Sequence, residues 1–183
     1  MIKITIIIIL VVVVFVLGAL YNSLVRLKTN IDESWAQIDV QLKRRCDLIP
    51  NIVETAKGYA KHEQETFQKV IEARNRMMSP GASKEDIMNE NNIVESGLKS
   101  IFALTESYPD LKSNQMFSNV QEELISTENK ISYSRQLYNS SVGTYNIKVR
   151  SFPANLLASI FGFKPEPMLE ATQEEREVVK VSF

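Results

Sequence analysis

From Ile31 onward the chain places Trp35, Ile38, Leu42, Arg45, Ile49, Ile52, Ala56 and Tyr59 at alternating steps of three and four residues. That spacing turns one face of an α-helix toward a partner, as in a coiled-coil-like bundle. The register holds on both sides of Pro50, which predicts one long helix with a kink at the proline, where the bond to the Cys46 carbonyl is lost. Two alternatives stay open: Asp47 capping a new helix with Pro50 in its first turn, and a break at Gly58. Further on, Phe67, Val70 and Met77 carry an apolar stripe to the turn at Ser79 to Ser83. Ser83, with Asp86 three residues on, has the pattern of a capping box. It precedes Ile87, Asn91, Val94, Leu98, Ile101, Thr105 and Tyr108, again spaced by four and three, and Tyr108-Pro109-Asp110 ends that helix. The last long helix begins near Asn114 and runs through Phe117, Val120, Leu124, Thr127, Ile131, Ser134, Tyr138, Ser141 and Tyr145. Its small or polar members, Thr127, Ser134 and Ser141, recur at every seventh place, which lets a neighbouring backbone come close while larger side chains interlock.

Phe152-Pro153 stops this helix, and a short amphipathic piece follows with Leu156, Leu157, Ile160 and Phe161 on one side and Gly162 as its C-cap. The favoured role for that piece is a lid on the bundle, the alternative being a position on a membrane surface. At the other end, Ile4 to Leu20 is apolar apart from Thr5 and Gly18. With Tyr21 at the interface it is long enough to cross a hydrocarbon core. A cleavable signal peptide is the competing reading. Retention is favoured by the length of the apolar run, the lack of a small-x-small cleavage pattern and helix-compatible sequence past Tyr21. The predicted fold is therefore all-α: an N-terminal transmembrane helix, then an antiparallel up-and-down bundle of three long helices, or four if the first is broken near Pro50 or Gly58. The predicted organisation is an anchor over 1–21, a bundle over 22–163 and a polar, partly extended tail over 164–183. The closing VKVSF would suit strand addition to a partner's sheet edge.

Composition narrows the functions. The 21 basic and 22 acidic residues are interspersed and the net charge is -1, so no one-signed face attracts nucleic acid. Cys46 is the sole cysteine and reads as a buried thiol. His62 is the sole histidine; Glu63 follows it, but position 66 is threonine, so the HExxH arrangement is absent. There is no glycine-rich phosphate loop and no GxSxG elbow. The expectation is no catalytic residue, no metal and no cofactor.

Polar residues close to the seams are more informative. Asp39 and Arg45 flank or occupy the first seam, while Glu128 and Arg135 lie one step from the Thr127/Ser134 series. A charge beside a packed seam is costly to desolvate unless paired. These four are the expected members of an interhelical network that sets register, with Arg135 paired to an acid on another helix. Asn139 and Asn146, seven apart, would extend it through their amides. The alternative is that most of these side chains snorkel to water at the bundle edge.

The order YN-x-LV from Tyr21, W-x-x-IDVQLKRR-x-DLIPN-x-V from Trp35, KGYA-x-HE from Lys57, TE-x-x-I from Thr127, R-x-x-YN-x-x-V-x-x-YN from Arg135, then Phe152-Pro153 and GF-x-P from Gly162, resembles the LemA family of bacterial membrane proteins. The resemblance implies a short extracytoplasmic amino end, a membrane anchor, a cytoplasmic helical bundle and no established enzymatic activity. The polar stretch from Lys84 to Asn92 departs from it. Charge placement, with Lys3 before the span and Arg26 and Lys28 after it, also leans toward a cytoplasmic bundle. The expected function is that of a single-pass, membrane-anchored envelope scaffold or adaptor. Its expected partners are the lipid bilayer through residues 4–21, a membrane or envelope protein and a second copy of itself.

Overall fold

The computed structural model describes residues 2–170. They form helices α1 (Ile2–Lys57), α2 (Gln64–Met77), α3 (Lys84–Ser107), α4 (Pro109–Lys112), α5 (Gln115–Arg150) and α6 (Ala154–Phe161), with no strand among the described residues. The single-turn α4 was not foreseen; it starts on Pro109 at its first position, where the missing N–H costs nothing. The final VKVSF lies outside the described residues. Contacts divide the chain into two units, and α1 and α5 contribute to both.

The unit containing Ile38–Tyr133 holds most of the core. Ile38, Leu42, Arg45, Ile49, Ile52 and Ala56 of α1 are all buried, as are Val94, Leu98 and Ile101 of α3 and Phe117, Leu124, Thr127 and Ile131 of α5. Helix α1 passes through Pro50 without interruption. The Cys46 carbonyl, which Pro50 cannot serve, accepts a hydrogen bond from Arg74 Nε of α2 at 3.1 Å. The break falls instead after Lys57, where Ala60 N–H reaches back to Ala56 at 2.9 Å and the chain turns through Gly58. Tyr59 thereby leaves the seam that its spacing suggested; it is exposed, and its hydroxyl accepts from Asn114 Nδ2 at 3.0 Å.

Two caps act as local signals. Ser83 Oγ accepts from Asp86 N–H at 3.1 Å and Asp86 accepts from Ser83 N–H at 3.2 Å, a complete capping box. The Ser83 hydroxyl, at 2.6 Å, and then the Ser83 N–H both donate to the exposed Asp86 carboxylate and hold it below its ordinary value of 3.8. Asn114 Oδ1 accepts from Phe117 N–H at 2.9 Å at the start of α5. Helices α2 and α3 approach closely at Gly97, where an added Cβ would run into Val70 Cγ2.

The other unit comprises Met1–Gln37 and Ser134–Leu169. Leu24 and Ile31 of α1 and Tyr138, Val142 and Tyr145 of α5 are all buried. Ser34 donates to the Asn30 carbonyl at 2.7 Å and shares a second bond of 3.1 Å with Ser141, one of the small positions of the seven-residue series. Trp35 meets Tyr138 edge-on at 5.9 Å between ring centroids. The apolar stretch at the start of α1 touches none of this core: Ile4 to Leu17 stand exposed on a helix that continues into the packed region.

Candidate functional site

Arg45 is the best-defined polar centre. It occupies a seam position between Leu42 and Ile49 and is 1% exposed. Its Nη1 donates to Asn91 Oδ1 of α3 at 2.5 Å, and its Nη2 pairs with Glu128 of α5. One guanidinium thus joins three helices of the unit. Taking that charge out of water costs several kcal/mol, which only a carboxylate and a good acceptor at the right height can offset. The neighbouring Arg44 pairs with Glu123 one turn along α5, in the exposed rim.

Above Arg45 lies a groove of about 220 Å³. Leu98 and Phe102 of α3 and Leu124 and Ile125 of α5 line it, and the Lys99–Glu95 pair at 2.9 Å stands at its edge. The charges along the groove are matched, and it offers no nucleophile beside a base. Its apolar lining suits an apolar side chain.

The remaining residues singled out in the sequence take different places. Asp39 is exposed and has no ion pair or hydrogen bond among the described residues. Arg135 is buried on α5. Asn139 and Asn146 bind backbone: Asn139 donates to the Leu169 carbonyl and accepts from the Leu169 N–H, both at 2.9 Å. Asn146 does the same with Glu166 at 2.8 and 2.9 Å. Seven helical residues rise about 10.5 Å, and three extended residues span about 10 Å, so the segment after α6 runs along α5 in matching register. Pro165 and Pro167, which lack N–H groups, flank Glu166, whose N–H group is used. Gly143 lies between the two asparagines, and a Cβ there would meet Met168 Cε at 3.3 Å. Lys28 of α1 closes the strap on Glu166 at 2.5 Å. Burial alone would lower the Lys28 ammonium, but the bond to Glu166 and its charge outweigh that and raise it above 10.5.

Sequence reasoning missed Asn91 as a polar partner, Arg74 as the donor for the proline-freed carbonyl, and Lys28–Glu166. Asn91 carried a signal, since an asparagine at an apolar seam position needs an acceptor or donor across the interface. Cys46 is buried, and burial pushes its thiol up, with Arg74 and Arg45 pulling the other way. His62 is exposed in the break between α1 and α2. No group of three His, Cys, Asp or Glu gathers as a metal site among the described residues.

Fold and polar centre together define a helical-bundle protein whose first helix is long and apolar enough to cross a membrane. A family model described as the LemA family matches residues 34–183, and the chain belongs to that family. It is similar to the magnetosome protein MamQ 2 of Paramagnetospirillum magneticum (25% identical; 79% of this chain, 62% of the relative). It is also similar to the magnetosome protein MamQ of Magnetospirillum gryphiswaldense (24% identical; 79% and 62%). The protein LemA of Metamycoplasma hominis is 24% identical over 88% of this chain and 74% of its own length. The chain therefore spans about three fifths of the length of the MamQ relatives and more of the mycoplasma one.

Proposed function

We propose that this chain is a single-pass membrane protein whose helical bundle works by binding other proteins, as an envelope scaffold or adaptor, without a reaction of its own. The observation that carries the reading is the apolar start of α1: none of its membrane-length window is buried against the rest of the chain, yet the same helix runs unbroken into the core. Exposed apolar surface of that length is stable in lipid and not in water. The bundle spends its buried polar groups on joining helices to one another, as at Arg45, which supports a binding role over a catalytic one. The name MamQ places two of the relatives among magnetosome proteins, and neither it nor LemA denotes a reaction. The bundle is proposed to face the cytoplasm, from the charges flanking the span.

The test is photocrosslinking in membranes from the exposed faces of α3 and α5, read by mass spectrometry. One dominant neighbour, or a second copy of the chain, is expected; its absence at every position would overturn the scaffold reading. Mass measurement of the mature amino end checks the anchor. An intact start is expected, whereas a product beginning near Ala19 to Asn22 would mean a released, extracytoplasmic bundle.

A further inference from the structure

We infer that α6 is a second membrane attachment: an interfacial helix that lies in the headgroup region beside the point where α1 leaves the bilayer. The inference rests on the anchored reading of α1 and adds to it a specific lipid-facing surface.

The placement follows from Tyr21. The Phe161 ring stands 4.9 Å from the Tyr21 ring and Phe163 stands 5.8 Å from it, both edge-on. Tyr21 ends the apolar run of α1 and is the residue type that settles at the membrane–water boundary. The C-terminal end of α6 is therefore held at the level where the span emerges. Its own faces are sorted for that position. Ala154, Leu157 and Ala158 are buried. Leu156 and Ile160 nevertheless remain 58% and 75% exposed, and Phe152, just before the helix, is 81% exposed. At about 100° per residue, Asn155 and Ser159 fall about 100° round the helix from Leu156 and Ile160. One flank of α6 is thus apolar, an adjoining one polar, and the remaining face is buried. That is the pattern of a helix lying in an interface.

Charge agrees. From Lys148 to Pro165 the chain carries Lys148, Arg150 and Lys164 and no Asp or Glu. After the span, Arg26 precedes the first acid, Asp32, while Lys28 is taken up by Glu166. A stretch around α6 that carries cations and no acid suits anionic lipid headgroups. A second attachment would also stop this unit from swivelling about a single helix.

The experiment uses the full chain with Cys46→Ala and single cysteines placed at Phe15, Asn155 or Ile160. Each is labelled with bimane and reconstituted in vesicles of equal parts phosphatidylcholine and phosphatidylglycerol. Quenching by lipids brominated on their acyl chains is read for each label. Ile160 should be quenched several-fold more than Asn155 and approach Phe15. Strong quenching at Phe15 with Ile160 no more quenched than Asn155 would overturn the α6 attachment alone, whether its apolar flank faces water or another copy. No quenching at Phe15 would overturn the anchored reading and this inference with it. Because labelling changes α6 itself, Leu156→Ser/Ile160→Ser, altered only at exposed positions, provides a second measurement. Amide exchange across α6 in the same vesicles should rise several-fold over the native chain, and unchanged exchange would count against the attachment.

Discussion

Arg45 shows how one side chain can carry more structural information than its neighbours. An apolar residue at that seam position would pack in several registers, whereas a buried guanidinium tolerates only the one that brings Asn91 and Glu128 to it. Removing one partner of a buried pair costs about 3–5 kcal/mol, but the Glu128 side chain is 36% exposed, and solvent screening should reduce the loss for Glu128→Gln to about 2 kcal/mol. Urea unfolding of the detergent-solubilised chain, followed by circular dichroism, measures this. The joint replacement Arg45→Met/Glu128→Leu should lose less than Glu128→Gln alone, since no charge is then left stranded. Gly97 makes a complementary prediction. Gly97→Ala gains up to about 1 kcal/mol of helix propensity but overpacks Val70, at about 1–3 kcal/mol. A net loss is expected by the same unfolding measurement, and Val70→Ala/Gly97→Ala should recover part of it through the relieved contact. The sequence marked Arg45 and Glu128 as charges beside seams. It did not mark Gly97, because a close approach of two helices leaves no trace in the periodicity of either.

At the scale of elements, caps and breaks obey different rules. The capping box of α3 and the αL Gly162 that ends α6 were legible because both depend on residues within one turn. Ser83→Ala should cost about 1 kcal/mol, seen as a lower unfolding midpoint. The folded pKa of Asp86 is depressed, so its contribution is present above its ordinary value of 3.8 and is lost as pH falls through the lower folded value. The continuation of α1 through Pro50 was legible in the register on both sides of it, but not that Arg74, from another helix, serves the Cys46 carbonyl freed by the proline. The strap over α5 is a third case. Asn139 and Asn146 stood out by their spacing, but their partners lie 30 and 20 residues further on and are backbone groups that no side-chain pattern announces. Asn146→Ala should raise hydrogen exchange at Glu166 N–H while leaving the core of α5 protected. Because the folded Lys28 pKa is raised, the Lys28–Glu166 contribution is full below the unfolded value and is lost only as pH climbs through the folded one, above 10.5. Strap protection should therefore be flat from neutral pH to about 10, once exchange is corrected for its intrinsic pH dependence.

For the whole molecule, Cys46 is a built-in reporter. It is buried in the unit formed by Ile38–Tyr133, and burial raises its thiol, so maleimide should react only when that core opens. Its labelling rate under native conditions should fall in step with the unfolding free energy across the Arg45, Glu128 and Gly97 variants. Fast labelling in the folded chain would contradict the packing described. What the sequence determined unaided was the helical content, the buried faces of α3 and α5 and of α1 as far as Ala56, the apolar leader and the local stops. Each follows from a repeat of three and four residues or from a signal within one turn. The tertiary structure alone decided that α1 ends before Gly58, that Tyr59 leaves the seam, which polar groups meet at Arg45, and that α6 keeps an apolar flank exposed beside Tyr21. The physical reason is common to all four. A buried donor, acceptor or apolar face is satisfied by whatever lies opposite in space, and the residues that lie opposite come from segments far away along the chain.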